Sequence, residues 1–297
     1  MNAELIVDAR NATGESPVWQ AQENALYWVD IPAGRLHRWQ ADGKHESWQA
    51  DEMLACIVRS PQGHWLGAQE SGIFQLTPQA NGRLHAEKRA GVEHARANMR
   101  FNDGRCDRQG RFWSSTMQPN MGTDPVGALY RYDGQAPGLV EPLSAQLGGL
   151  LVGNGLAFSP DGKTLYLSDS HPTVQQIWAF DYDIDSGTPY NRRSFVDMNA
   201  HPGRPDGAAV DAEGCYWICA IDAGLVLRFT PEGKLDRSLP LPVKKPTMCA
   251  FGGAGLDTLF VTSIRPQGLD LSDQPLAGGV FALNPGVKGL PEPMARH

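Results

Sequence analysis

The chain has 297 residues, 41% of them hydrophobic, and a formal net charge of −7. The acidic balance argues against nonspecific nucleic-acid binding, which needs a basic surface. The chain contains no apolar run of about 18 residues, so no membrane span is predicted. The segment MNAELIVDAR lacks the basic stretch followed by an apolar stretch that is typical of a secretory signal, so no such signal is predicted. Together with five scattered cysteines, these features predict a location in the reducing cytoplasm.

One phrase recurs along the chain, in which an apolar run, a turn and an aromatic-rich run follow one another. In chain order the copies are SPVWQAQENALYWVD, IVRSPQGHWLGAQ, GRCDRQGRFWSST, GLAFSPDGKTLYLSD, GAAVDAEGCYWICA and CAFGGAGLDTLFVTS. β-Branched and aromatic runs bounded by turn residues are typical of strands. Repeats of roughly 40–50 residues match four-stranded blades. The sequence therefore predicts an all-β protein, a six-bladed β-propeller, with residues 1–297 as a single domain.

The two ends of the chain indicate how the ring of blades closes. The first strand, around Ala3–Val7, is expected to lie beside Val280–Leu283 and to complete the last blade. This pairing would leave few free sheet edges, which otherwise invite aggregation.

Three oxygen-bearing side chains occupy one repeated position. Asn102, Asn154 and Asp206 each lie eight residues before a turn glycine, at positions 110, 162 and 214. The innermost strands of a propeller line its central channel, so equivalent positions on them form a ring. Aligning the other blades on their turns adds Ala55 and Thr247 to this ring, and either Glu15 or Ser16 from the first blade.

Such a ring has the chemistry of a site for a hard cation. Ca²⁺ takes about 6–8 oxygen ligands, including carboxylates and amide carbonyls. The same donors suit Mn²⁺, and Zn²⁺ less well. Asn-Gly and Asp-Gly are also common turn dipeptides, but each of these blades already has a turn eight residues later. The spacing therefore favours a channel site over turn chemistry.

Seven blocks, spread over nearly the whole chain, resemble the regucalcin/gluconolactonase (senescence-marker-protein) family. In order they are GESPVW, RFNDGRCDRQGRFW, NGLAFSPDG, DYDIDSGTPYNRRS, PDGAAVDAEG, LPVKKPTMCAFGG and AGGVFAL. The resemblance implies a six-bladed propeller that hydrolyses sugar lactones with one divalent metal ion in its channel. It also implies that the metal ligands are Glu15, Asn154 and Asp206, which favours Glu15 over Ser16.

The resemblance further assigns substrate binding to Arg100 and Asn102. The chain departs from the family at Asn120, where some members carry a glutamate near the hydroxyl groups of the substrate. We therefore expect the far end of the substrate to be recognised differently in this protein.

These residues predict a lactonase in which one divalent ion, Ca²⁺, Mn²⁺ or Zn²⁺, polarises the ester carbonyl and activates water. Asp206 would bind the ion and accept a proton from that water. The substrate would be a small aldonolactone. Loop residues near the ring, His171, His201 and Arg204, would favour an anionic lactone with a sulfonate or phosphate on its sixth carbon if they face the channel.

The chain also has two pairs of adjacent basic residues, and its sequence leaves two other functions open. Arg192–Arg193 and Lys244–Lys245 are predicted to be exposed loop charges. An organophosphate or aryl-ester hydrolase is a second enzymatic interpretation, and a calcium-binding or interaction propeller without catalysis is a third, because a fold does not by itself define a function. The sequence leaves the sugar, the metal and the oligomeric state open.

Overall fold

A computed structural model describes residues 3–134 and 140–296. Its first fourteen strands are β1 (Glu4–Val7), β2 (Gly14–Gln20), β3 (Ala25–Asp30), β4 (Arg35–Gln40), β5 (His45–Gln49), β6 (Leu54–Arg59), β7 (Trp65–Gln69), β8 (Gly72–Pro78), β9 (Leu84–Gly91), β10 (Arg100–Cys106), β11 (Phe112–Met117), β12 (Gly127–Tyr132), β13 (Glu141–Pro142) and β14 (Ala145–Leu150). The others are β15 (Gly153–Phe158), β16 (Thr164–Asp169), β17 (Gln176–Asp183), β18 (Thr188–Asp197), β19 (Arg204–Val210), β20 (Tyr216–Ile221), β21 (Leu225–Phe229), β22 (Leu235–Pro240), β23 (Pro246–Gly252), β24 (Thr258–Ser263) and β25 (Val280–Leu283). A 3₁₀ turn spans Met198–Ala200.

The strands of the described residues form six sheets, which confirms the predicted all-β propeller with six blades. The first five blades begin with β2, β6, β10, β15 and β19 and continue in chain order, and β13 adds to the outer edge of the second. The sixth blade has the order β1-β25-β24-β23. The first strands of successive blades contact one another from β2 round to β23 and back to β2, so they enclose the central channel.

The N-terminal strand closes the ring as the sequence predicts. β1 pairs antiparallel with β25, with Leu5 opposite Phe281 and Val7 opposite Val280. The last blade is therefore built from both ends of the chain, and its outer edge is occupied.

Tryptophans of the second strands fill the core between the blades. Trp28, Trp65, Trp113 and Trp217 are fully buried. Where such a ring is buried its N–H group needs a partner, and Trp113 donates to the hydroxyl of Tyr182 at 3.1 Å. The four rings belong to hydrophobic clusters that combine residues of neighbouring blades, so they contribute to the packing between blades.

Every innermost strand also has a register shift near the depth of the predicted ring. The shifts lie between Glu15 and Val18, Leu54 and Cys56, Phe101 and Gly104, Asn154 and Ala157, Pro205 and Ala208, and Pro246 and Cys249. An extra residue of this kind bends a strand and redirects side chains, and it occurs often beside active sites. The sequence pattern does not predict these bulges.

The C-terminal tail, residues 284–296, crosses the end of the channel where the first hairpins turn. Its backbone bonds to the sixth, fifth, second and third blades through Leu256, Ala212, Arg59 and Gly110. The other end, where the innermost strands begin, is the open one. In the described part of the chain, no helix has the length and apolarity needed to cross a membrane.

Candidate active site

A cavity of about 260 Å³ lies in the open end of the channel. Four of the predicted ring residues line it, and we call them the inner ring: Glu15, Asn102, Asn154 and Asp206. A second layer, the outer ring, comes from positions two residues before the predicted ring positions (Thr247 included) and closer to the opening: Thr13, Arg100, Val152, Arg204 and Lys245. Positions two apart on a strand share one face, which explains why both layers face the cavity.

The structure decides between the two candidates of the first blade. Glu15 lines the cavity, whereas Ser16 borders a smaller space on the tail side of the channel. The Ser16 hydroxyl accepts a hydrogen bond from the Ile57 amide at 2.9 Å, so it ties two blades together. Of the other ring positions, Thr247 donates to the carbonyl of Gly14 and is not among the residues that line the cavity.

Hydrogen bonds join the inner ring across three blades. The Asn102 amide donates to the side-chain oxygen of Asn154 at 2.8 Å, and the Asn154 amide donates to the Ser170 hydroxyl at 2.6 Å. Ser170 in turn donates to the carbonyl of Pro205. This chain fixes which way Asn154 presents its oxygen, although Ser170 carries no signal in the repeat that sequence reasoning could use.

Arg100 is held against the ring rather than free in the cavity. Its Nη1 donates to Asn102 Oδ1 at 2.8 Å and to the carbonyl of Phe101 at 2.7 Å. Among the residues that the structure describes, these are the partners of the guanidinium, so its other N–H groups keep their capacity to bind a substrate oxygen.

Two buried carboxyl groups that line the cavity, Glu15 and Asp206, interact with each other and with the buried Asp103. Burial, with the charge of Asp206 next in size, raises the pKa of Glu15 well above its usual value. Burial and the charge of Asp103 raise the pKa of Asp206 to about 8. Burial also raises the pKa of Asp103 to about 6. Each group would therefore gain from a nearby positive charge.

The donor set fits a hard cation. Neither Glu15 nor Asp206 forms an ion pair within the described ranges, and one buried oxygen of Asp103 has no hydrogen-bond partner there. The other Asp103 oxygen accepts a hydrogen bond from the Leu156 amide at 2.8 Å. Carboxylate and amide oxygens, without histidine or cysteine, match Ca²⁺ or Mn²⁺ better than Zn²⁺.

A second acidic cluster lies in the fifth blade and has a different explanation. Asp211, Glu213 and Cys215 are close enough together to hold an ion. However, Asp211 accepts bonds from the Trp217 indole and from Arg228 at 2.8 Å, and Arg228 also reaches Glu213 at 2.5 Å. The arginine already supplies the positive charge, so we interpret this cluster as an ion-pair network of the blade.

The remaining predicted residues fall in several places. Arg204 lines the cavity. His171 is buried and lies 2.7 Å from the Thr173 hydroxyl, and His201 packs edge-on against Phe229. Asn120 is exposed and is not a lining residue, although its neighbours at 119 and 121 are. Its role in substrate binding stays a prediction.

One expectation about the lysine pair was wrong. Lys244 is exposed, as expected, and pairs with Asp273, but Lys245 lines the cavity. Its side chain is only 28% exposed and pairs with Asp222. Lys245 lies two residues before the ring position Thr247, just as Arg100 lies two residues before Asn102. The alignment of the ring positions could therefore have predicted that Lys245 faces the channel.

The fold and the cavity define a six-bladed β-propeller with its candidate site in the central channel. The chain belongs to the family described as the SMP-30/gluconolactonase/LRE-like region, which matches residues 13–265. It is 42% identical over 296 residues to 6-deoxy-6-sulfogluconolactonase of Pseudomonas putida, with 97% of each chain covered. It is 33% identical over 298 residues to regucalcin of Danio rerio, covering 98% of this chain and 97% of the relative.

Solved structures agree with this placement. Regucalcin of Agrobacterium tumefaciens, described as a calcium-binding protein, superposes with a TM-score of 0.90 at 26% identity and covers 100% of this chain and 98% of its own. A gluconolactonase of Xanthomonas campestris superposes with a TM-score of 0.71 at 25% identity, covering 95% and 89%.

Proposed function

We propose that the protein is a metal-dependent lactonase that opens a small sugar lactone to the sugar acid. The observation that carries the proposal is the pair of buried carboxyls, Glu15 and Asp206, which line a substrate-sized cavity and have raised pKa values. Sulfogluconolactonase and gluconolactonase among the similar proteins support lactone hydrolysis.

In this proposal Glu15, Asn154 and Asp206 hold one divalent ion. Bound there, Ca²⁺, Mn²⁺ or Zn²⁺ would polarise the lactone carbonyl and lower the pKa of water. The hydrogen bonds from Asn102 to Asn154 and from Asn154 to Ser170 keep the Asn154 side chain in place before the ion arrives. Such preorganisation reduces the cost of binding.

The chain's own residues carry the proton transfers. Asp206 takes a proton from the water whose oxygen adds to the carbonyl carbon. As the bond from that carbon to the ring oxygen breaks, the same proton passes to the departing oxygen, so the product is a hydroxy acid. General-base assistance of this kind contributes roughly 10²–10⁴-fold to a rate. Arg100 and Asn102 orient the lactone through their N–H groups.

The proposed substrate carries a negative group on its sixth carbon, as in a sulfo- or phosphogluconolactone. Cations of the outer ring support this choice, because Arg100, Arg204 and Lys245 all line the cavity. Similarity to a sulfogluconolactonase along 97% of the chain supports it independently.

The test compares the wild type with Asp206→Asn, in chelator and after adding Ca²⁺, Mn²⁺ or Zn²⁺ singly. We expect chelator to abolish lactone opening by the wild type and at least one ion to restore it. Asp206→Asn should lose about 10²–10⁴-fold in kcat, and its melting temperature should no longer rise with the ion. The exposed Asp270→Asn serves as the matched control.

Two results would count against this proposal. Full activity in chelator would show that no metal ion is required. Full activity of Asp206→Asn would show that Asp206 is not the base. An ion that raises the melting temperature of a wild type without activity on any lactone would favour the non-catalytic calcium-binding interpretation.

A further inference from the structure

The positive charges of the outer ring are unequally distributed around the cavity. Arg204 lies at the start of β19 and Lys245 immediately before β23, so they come from adjacent blades. Arg100 comes from the third blade, across the channel from Lys245 in the sixth. Arg204 is two residues from Asp206 on the same strand, which is about 6–7 Å along the strand. Arg204 and Lys245 therefore form a cationic side of the cavity, one layer above the carboxyls.

One carboxylate holds both of these cations in place. Asp222 accepts a hydrogen bond from Arg204 Nε at 2.8 Å and another from Lys245 Nζ. Arg204 also donates from Nη1 to the carbonyl of Ser170 at 3.1 Å. Its Nη2 has no protein partner in the part of the chain that the structure describes. Two cations sharing one carboxylate leave an excess positive charge beside an open N–H group.

This arrangement differs from that of Arg100, which donates to its own strand and to Asn102. Arg100 belongs to the reacting end of the cavity, next to Glu15 and Asp206, whose charges offset its own. The cluster formed by Arg204, Lys245 and Asp222 is farther out, and its two cationic side chains are 18% and 28% exposed. A ligand could reach both without displacing the inner ring.

We propose that Arg204 and Lys245, positioned by Asp222, form a subsite for a tetrahedral oxyanion, sulfonate or phosphate, on the sixth carbon of the lactone. With bonds of about 1.5 Å, this group lies about 5–6 Å from the reacting carbonyl, a little less than the about 6–7 Å between successive positions on one face of a strand. Arginine N–H groups fit such oxyanions closely. The inference rests on the proposed lactonase function and deepens it, because it assigns the residues that select the substrate.

The experiment measures kcat/KM for 6-sulfo-, 6-phospho- and unsubstituted gluconolactone with Arg204→Gln, Lys245→Met and the wild type. We expect each variant to lower kcat/KM for a charged lactone about 10–100-fold more than for the neutral one. The exposed Lys244→Met provides a control with the same change one residue away. The ratio between the sulfo and phospho arms identifies which oxyanion the subsite prefers.

A purely structural tie between blades five and six would lower stability without changing the ratio between charged and neutral lactones, and an unchanged ratio would overturn the inference. A second measurement separates it from the lactonase proposal: calorimetric titration with 6-sulfogluconate and with gluconate. If the wild type opened no lactone but bound the sulfonated acid more tightly, and Arg204→Gln lost that difference, the lactonase proposal would fail and the subsite would stand. Equal binding of both acids would reject the subsite.

Discussion

At the scale of single residues, the channel contains ionisable groups whose states are set by burial, and His37 in the first blade is in a similar situation. It stacks on Trp28 with ring centroids 5.0 Å apart, and its Nδ1 lies 3.1 Å from Nε2 of His45. Burial, followed by the charges of His45 and Arg35, lowers the pKa of His37 to about 3. The folded protein therefore keeps this ring neutral at mildly acidic pH.

The sign of the resulting pH dependence follows directly. In the unfolded chain a histidine takes up a proton below about pH 6.5, whereas folded His37 does so only near pH 3. Its contribution to stability is therefore present above pH 6.5 and is lost as the pH falls toward 3. Between pH 7 and pH 5, His37→Phe should lose about 2 kcal/mol less of its unfolding free energy than the wild type.

Urea unfolding at both pH values checks this prediction. The matched control is His85→Phe, at an exposed histidine. Its unfolding free energy should change with pH as that of the wild type does. If the unfolding free energies of His37→Phe and the wild type changed equally between the two pH values, His37 would be protonated in the folded protein.

The same scale shows how much of the site the sequence could predict. Equal spacing from the turn glycines identified Asn102, Asn154 and Asp206, and these side chains do share one cavity. Lys245 lies in a loop, as predicted, but the prediction that it is exposed is wrong. Which of two neighbouring lysines faces inward depends on which alternate positions of the chain face the channel. It also depends on the partner Asp222, which is distant in sequence from both lysines.

At the scale of elements, a bulge in each innermost strand is the main feature that patterns could not supply. An extra residue leaves no periodic signal in the apolar runs that predicted the strands, because the alternation is interrupted for one position only. The consequence is local and functional. Consecutive residues such as Asn102 and Asp103 both contribute to the site, since Asn102 lines the cavity and Asp103 acts electrostatically on Asp206.

The closing strand β1 provides a prediction for this scale. Deleting residues 1–8 would leave β25 as an exposed edge and remove the burial of Val7, which is only 9% exposed. We expect the melting temperature to fall by several degrees, at about 2–4 °C for each kcal/mol lost, and aggregation to increase. Circular dichroism and light scattering during heating measure both effects.

A shorter deletion, of residues 1–2, ends before β1 and should melt like the full chain. If the longer deletion also melted unchanged, β1 would contribute nothing to closure of the ring, and the pairing with β25 would have no energetic weight.

At the scale of the whole molecule, the two ends of the channel have different tasks. The open end carries the inner and outer rings, and the other end lies beneath the C-terminal tail. Glu292 of the tail pairs with Arg105 of β10 at 2.7 Å, with side chains 19% and 10% exposed. Arg105 also donates to the carbonyl of Ala208 at 2.8 Å. Arg105 therefore links the tail to the third and fifth blades.

This division predicts that the tail can be weakened without changing the chemistry. Glu292→Gln leaves the Arg105 charge buried without its partner, and we expect it to lower the unfolding free energy by about 1.5–3 kcal/mol. Arg105→Met combined with Glu292→Gln should recover part of that loss, because no unpaired charge remains. Urea unfolding of the two single variants and the double variant completes a double-mutant cycle.

Since Arg105 borders the space on the tail side and not the cavity, kcat/KM for the lactone should stay within about twofold of the wild type at temperatures where the variants are folded. A matching loss of turnover in folded Glu292→Gln would show instead that the tail and the inner ring are coupled.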